Sequence, residues 1–302
     1  MSSLTARAVH ATAQQWLAAA RPAFVVTVGD IKGSTPRGTG TRMLVAQDEV
    51  NGTIGGGHLE WQAITLARQA LTEAGLATRA WSQPFPLGPT LGQCCGGVVT
   101  LHFAALNAAA LQAWLLPAPR FHLELHGAGH VGQALVKLLA DLDCTVRWID
   151  ERAEELDAFM QGAPASALAP DRQRAAPGLP DAAMLAGLPP HITWLPTDAA
   201  DQEVADAPPG ACHLVLTHRH DLDLRIVQAV LRRGDFHFAG MIGSQTKRAK
   251  FFHRLEAQGI DDTTLARLQC PIGLPDLPGK EPAVIAISVM AQLLQHCPAQ
   301  GV

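Results

Sequence analysis

Two cysteines, Cys94 and Cys95, stand side by side in LGPTLGQCCGGVVTLHF (residues 87–103), flanked by Gly92, Gly96 and Gly97. Adjacent cysteines close no useful loop, so disulfide stapling does not account for them. Packing, redox chemistry, metal ligation and the grip of a thiophilic cofactor stay open. The bare glycine backbone beside them would let a thiolate approach a bulky ligand closely.

Two more glycine-rich stretches precede this one, KGSTPRGTG (32–40) and TIGGGHLE (53–60). Gly55, Gly56 and Gly57 stand directly before a helical pattern, where backbone amides can cradle a phosphate. Arg37, His58 and Glu60 are the polar side chains placed to contact a ligand there. Three such loops in one small domain read as a ligand cleft.

Gly127, Gly129 and Gly132 spell G-x-G-x-x-G between a strand and a helix, and Asp150 ends the next strand. Such glycines let the chain turn tightly and approach a pyrophosphate, while the acid can hold a ribose hydroxyl. NAD(P) or another nucleotide is therefore a candidate cofactor, and an NAD(P)-dependent oxidoreductase a candidate function. THRHDLD (217–223) gathers His218, His220, Asp221 and Asp223 where a strand hands over to a helix. Those are metal-ligand types, but strand ends also line the crevice of a doubly wound sheet, where His218 or His220 could reach a ligand. In MIGSQTKRAKFF (241–252), Ser244 can cap a helix whose amides, with Lys247 and Arg248, would attract an anion; a solvated basic helix face explains the same residues.

These residues need elements to position them. FVVTVGD reads as a strand, RMLVAQDEVNGTIGGG as two strands joined through Asn51-Gly52, and GVVTLHF as a last strand. Leu59, Ala63, Leu66, Ala67, Ala70 and Leu71 recur at helical spacing, and AALNAAALQAWLLPAPR reads as an alanine-rich helix. From Phe121 to Gly259, outside an Ala-, Pro- and Gly-rich stretch (158–191) read as loops with at most a short helix, strands and helices alternate, which implies a parallel sheet with right-handed crossovers. PAVIAISVMAQLLQHC is apolar nearly all round and must be buried, with Pro282 suited to a first helical position. The expectation is an α/β chain: an N-terminal α/β domain with the cysteine motif (1–116), a larger Rossmann-like parallel-sheet domain (120–270), and a helical tail (271–302) packing between them.

A net charge of -4 lacks the basic excess of a nucleic-acid binder. No stretch approaches the ~20 apolar residues needed to span a bilayer. Six cysteines without framework spacing suit a reducing cytoplasm.

Taken in order, GSTPRGTGTRMLV, IGGGHLE, LGQCCGG, GAGHVG, THRHDLD and IGSQTKRAKFF…PIGL resemble the XdhC/CoxI family of xanthine dehydrogenase accessory proteins, over roughly residues 20–295. The resemblance implies a chaperone rather than an enzyme. It would bind the molybdenum cofactor (molybdopterin), hold it while a cysteine desulfurase assists exchange of an oxo for a sulfido ligand, and deliver it to the apo xanthine dehydrogenase molybdenum subunit. It also implies a homodimer, and Cys94 or Cys95 as a molybdenum contact or persulfide carrier. Some relatives carry Cys where His58 stands, and PIGLPDLPGKEP departs from the usual PIGLDIG. THRHDLD alone resembles the metal motif of the metallo-β-lactamase superfamily, with Leu224 in place of its final His.

Overall fold

The computed structural model describes residues 5–73, 79–87, 97–152 and 178–297. Cys94 and Cys95 lie outside the described residues. The chain divides into two compact units, Met1–Ala118 and Pro119–Val302.

The first unit is built on an antiparallel sheet of β1 (Ala23–Lys32), β2 (Arg42–Ala46), β3 (Val50–Gly52), β4 (Trp81–Pro86) and β5 (Val98–Ala105), in the order β3-β2-β1-β5-β4. Alternate residues of β1 supply two cores. Phe24, Val26 and Val28 face α2 (Gly57–Thr72), where Ala63, Ala67 and Ala70 let the helix approach the sheet. Ala23 and Val25 face α1 (Ala6–Ala18) through Val9, Ala13 and Trp16. Asn51 and Gly52 are paired in β3 opposite Leu44 and Met43, so the reversal from β2 falls at residues 47–49 rather than at Asn51-Gly52. Gly52 is needed there all the same: its φ is +85° and a Cβ would come within 2.9 Å of the Arg42 carbonyl. The alanine-rich helix is also shorter than expected, only α3 (Ala108–Gln112), capped by Asn107.

The second unit carries a parallel sheet of β6 (His122–His126), β7 (Thr145–Asp150), β8 (Ile192–Pro196), β9 (Cys212–Val215), β10 (Phe238–Met241) and β11 (Leu268–Gln269). Its order, β11-β10-β9-β6-β7-β8, reverses direction between β6 and β9. That is the doubly wound order of a Rossmann sheet, with its crevice at the reversal. On one face pack α4 (His130–Leu139), α5 (Ala182–Ala186) and a long C-terminal helix. The other face takes a 3-10 turn (Gln202–Asp206), α6 (His220–Arg233), α7 (Gln245–Ala257) and α8 (Asp262–Leu265). The C-terminal helix, α9 (Pro282–His296), starts on Pro282 and buries Ala286, Val289, Met290 and Leu293 in the core of this unit against β6 and α4. It is thus part of the core of the Rossmann-like unit. Burial of each large side chain contributes roughly 1.5–3 kcal/mol, enough to explain a helix with little polar face.

β6 alternates in an unusual way. Leu123 and Leu125 enter the α4 and α9 core, which turns Glu124 and His126, both fully buried, to the α6 face. Glu124 accepts from His122 Nε2 at 2.7 Å and from Arg147 Nη1 at 3.4 Å, and Arg147 continues to Glu203. His126 stacks on His213 of β9, ring centroids 6.0 Å apart. Among the described residues neither ring nitrogen of His126 has a partner, nor has His213 Nδ1. Burial holds His126 well below its ordinary pKa, helped by nearby His213 and the Arg147 charge, and holds His213 at about 4. Both imidazoles are neutral in the folded chain.

The sign of the pH effect follows. Below about 6.5 the unfolded chain takes up protons at these imidazoles that the folded chain refuses, so stability falls as pH drops toward about 4. Each histidine can cost up to ~1.4 kcal/mol per pH unit in that window. Urea unfolding is expected to give a lower midpoint at pH 5 than at pH 7, and a smaller drop in His213→Leu. Equal midpoints in the wild-type chain would contradict the neutral buried pair.

Candidate functional site

The crevice of the second unit is set by where the strands end. β6 runs into the Gly127–Gly132 turn. Gly127 has φ +119°, and a Cβ there would lie 2.4 Å from the Leu216 carbonyl; at Gly132 it would lie 2.2 Å from the Gly127 carbonyl. These two glycines are required by the fold itself. Gly129 differs: its φ of -68° suits any residue, and among the described residues nothing lies within 4 Å of a Cβ placed there. It is the N-cap of α4, contributes no side-chain cap, and the first turn carries no acid. Among the described residues, the leading amides of α4 therefore open onto a space with no side chain at 129 to fill it, the geometry of a phosphate cradle.

Asp150 sits beside that cradle but is already engaged. Its Oδ2 accepts from Ala128 N at 2.6 Å and Arg152 Nη2 at 2.8 Å, and its Oδ1 from Arg152 N at 3.0 Å and Nε at 2.8 Å. Carboxylate and guanidinium are both almost fully buried. The acid expected to hold a ribose hydroxyl instead locks the β7 exit onto the glycine turn.

A second buried acid works the same way across the crevice. Asp223, fully buried in the first turn of α6, accepts from Thr217 N at 3.0 Å, Thr217 Oγ1 at 2.7 Å and Lys247 Nζ at 2.6 Å. Lys247 also donates to the Ile242 carbonyl at 3.0 Å. It is a structural cation joining β9, α6 and α7, where the sequence suggested an anion contact. Ser244 does cap α7, accepting from Lys247 N at 3.2 Å, and Arg248 lies 4.3 Å above the Phe252 ring. Each of the three residues thus has a contact within the chain.

The groups left at the crevice mouth are Glu151, His218 and Arg219. Glu151 Oε1 lies 3.8 Å from His218 Nε2 and 3.2 Å from Arg219 Nη1. Burial raises the Glu151 pKa, opposed by Arg219, while burial and then the Arg152 charge lower that of His218. A weakened acid beside a weakened base can pass a proton or meet a polar ligand. Glu151 and Arg152 went unread in the sequence; their position one and two residues past the strand end was the available signal. His220 faces the edge of Phe251 and Asp221 pairs with Arg219 at 2.5 Å, so THRHDLD is spread over separate jobs. Among the described residues no three His, Cys, Asp or Glu side chains converge as a metal site.

In the first unit the glycine loops do meet. A Cβ on Gly55 (φ +121°) would lie 2.4 Å from Pro36 Cβ, and one on Gly97 would lie 2.5 Å from the Ser34 carbonyl. The 32–40 loop is thus gripped between the 53–57 loop and the end of the cysteine-bearing loop. Glu60 staples the turn before α2, accepting from Thr53 Oγ1, from Ile54 N at 2.9 Å and from Gly56 N at 3.1 Å. Its charge makes this helix start a weaker phosphate cradle than that of α4. Among the described residues nothing lies within 4 Å of a Cβ placed on Gly56 (φ +77°). Arg37 and His58 are exposed, and the His58 ring stacks on Trp61, itself 61% exposed, with its Nε2 3.1 Å from Gln62 Nε2.

Two stability comparisons follow. Gly129→Val is expected to unfold within about 1 kcal/mol of wild type, whereas Gly132→Ala loses several times that through its backbone clash. Lys247→Ala, which strands a buried carboxylate, is expected to cost roughly 3–5 kcal/mol, and Arg248→Ala less than ~1 kcal/mol. Urea titrations measure all four; equal costs within either pair would contradict the assignments.

Residues 123–293 match the XdhC Rossmann domain, and residues 16–80 match the XdhC and CoxI family. YqeB, an uncharacterized protein of Escherichia coli K12, is 27% identical over 279 residues, covering 91% of this chain and 43% of YqeB. The chain therefore spans less than half the length of that relative. A crystal structure described as a xanthine dehydrogenase from Bacillus halodurans superposes with a TM-score of 0.69 at 16% identity, covering 96% of each chain, a likeness of fold. No helix among the described residues is long and apolar enough to cross a membrane. With one of its domain matches covering more than half of the residues and a second in the N-terminal unit, the chain belongs to the XdhC/CoxI family.

Proposed function

We propose that this protein is a maturation accessory of a xanthine dehydrogenase. It binds the molybdenum cofactor (molybdopterin) and protects it while a cysteine desulfurase supplies sulfur. It then hands the cofactor to the apo molybdenum subunit. It works as a homodimer in the cytoplasm. The observation that carries the reading is the family match across both units, joined to a first unit whose glycine loops meet at Gly55 and at Gly97, two residues after Cys95 in sequence. When bound, the cofactor supplies the molybdenum centre that the client needs for its chemistry.

This chain's own part is to hold and release. The fit is clearest at the phosphate end: the uncapped start of α4, kept clear by Gly129, suits a terminal phosphate. Gly56 keeps a second opening clear beside exposed Arg37 and His58, a cation and a hydrogen-bonding ring. A thiolate of Cys94 or Cys95 is the soft donor suited to molybdenum. The NAD(P)-dependent oxidoreductase reading has less support, because Asp150 spends both oxygens on Ala128 and Arg152. A holding protein needs no hydride-transfer geometry.

Cys94→Ala with Cys95→Ala is expected to leave a folded chain that no longer retains molybdopterin. A strain lacking the protein should yield a client with its iron–sulfur and flavin groups present and its active molybdenum centre missing. A fully loaded, active client from that strain would overturn the maturation role. Normal retention by the double variant would overturn the thiol role alone.

A further inference from the structure

The second unit holds a pair of thiols for which cofactor holding has no use. Cys212 opens β9, and Cys297 directly follows the last residue of α9. Their sulfurs lie 3.4 Å apart, hydrogen-bonded and buried, although 85 residues separate them along the chain. Each is held from behind. Cys212 is locked in the sheet between Leu123 of β6 and Phe238 of β10. Cys297 N donates to the Leu293 carbonyl at 2.9 Å, and the Cys297 carbonyl accepts from Arg120 Nε at 2.5 Å. His237 Nε2 donates to the neighbouring His296 carbonyl at 2.8 Å.

The two thiols are not equivalent. The hydrogen bond from Cys212 lowers the Cys297 pKa to about 7 against the effect of burial, with help from His237, His296 and Arg120. That same contact, with burial, pushes Cys212 up. One sulfur is therefore the nucleophile and the other its proton-bearing neighbour, the asymmetry of an attacking and a resolving thiol.

We propose that Cys212 and Cys297 form a redox-modification site, converted by hydrogen peroxide into a disulfide that fastens the end of α9 to β9. Cys297 Sγ attacks one peroxide oxygen; the O–O bond breaks, and a sulfenic acid and one water result. Cys212 Sγ then attacks the Cys297 sulfur. The S–S bond forms, the S–O bond breaks, and the departing hydroxide leaves as a second water with the Cys212 proton. Two thiols lose two electrons and two protons in all, and the peroxide is reduced to two waters. A dithiol reverses the change by thiol–disulfide exchange. The closed loop contains α6, β10, α7, α8, β11 and α9, so the bond ties half of the sheet to the C-terminal helix.

The test uses the full chain, treated with hydrogen peroxide, unfolded in N-ethylmaleimide and digested without reduction. Mass spectrometry is expected to find a Cys212–Cys297 linked peptide that dithiothreitol dissolves, with Tm higher by about 5 °C before reduction. Cys212→Ser is expected to give no link and to leave a Cys297 sulfenic acid that dimedone labels. Both cysteines recovered as maleimide adducts from peroxide-treated wild type would overturn the proposal, as would a Cys297 sulfenic acid that persists there without a link. A link with no rise in Tm would overturn the fastening. The wild-type peptide map decides the matter even if Cys212→Ser does not fold.

Discussion

The carbonyl of Gly127 is the point on which the second unit turns. Trp148 Nε1 donates to it from β7 at 3.2 Å, and the bare Cα of Gly132 packs against it from α4. Gly127 N donates to Ile149 O at 2.8 Å, while its own Cα presses on the Leu216 carbonyl beyond β9. One residue thus sets the spacing of three adjacent strands and the approach of the first helix. A side chain at 127 or 132 would push helix and sheet apart. The position between them, 129, feels none of this, and there the absence of a side chain serves the space outside.

Around that point the crevice walls are pinned by two buried acids. Asp150 ties the β7 exit to the glycine turn through Ala128 and Arg152, and Asp223 ties the β9 exit to α7 through Thr217 and Lys247. Buried charges of this kind add little net stability but tolerate few alternative arrangements once paired. The consequence is a rigid frame with most of its charge spent inward. Glu151, His218 and Arg219 remain at the mouth, with Glu151 between the other two. Such a frame suits a protein that grips the anionic end of a cargo better than one that rebuilds its electrostatics during a reaction.

Much of this architecture was readable because the local rules agree with the fold. The G-x-G-x-x-G spacing, the strand before it and the Leu135, Val136, Leu139 stripe after it all point to one strand–turn–helix. What the sequence did not show comes where a partner brought in by folding decides. Lys247 looks like a surface cation until Asp223, 24 residues earlier, is brought beneath it, and Asp150 looks like a ribose acid until Arg152 folds back on it. Asn51-Gly52 carries turn chemistry, yet its pairing with Leu44 and Met43 draws it into a strand. The apolar α9 announced its burial but not its address, since hydrophobicity has no direction. β4 was missed because its prolines and alternating exposure hide an edge strand that Trp81 anchors by stacking on Phe103.

The central claim is that this chain holds a cargo rather than turning over a substrate. Titration of the purified protein with molybdopterin, followed by ultrafiltration and assay of bound pterin, tests it most directly when NAD(P)H oxidation is monitored in the same samples. The account predicts saturation near one cofactor per chain, loss of that binding in Gly129→Val, and no nicotinamide turnover. Absence of molybdopterin binding together with steady NAD(P)H oxidation would contradict it.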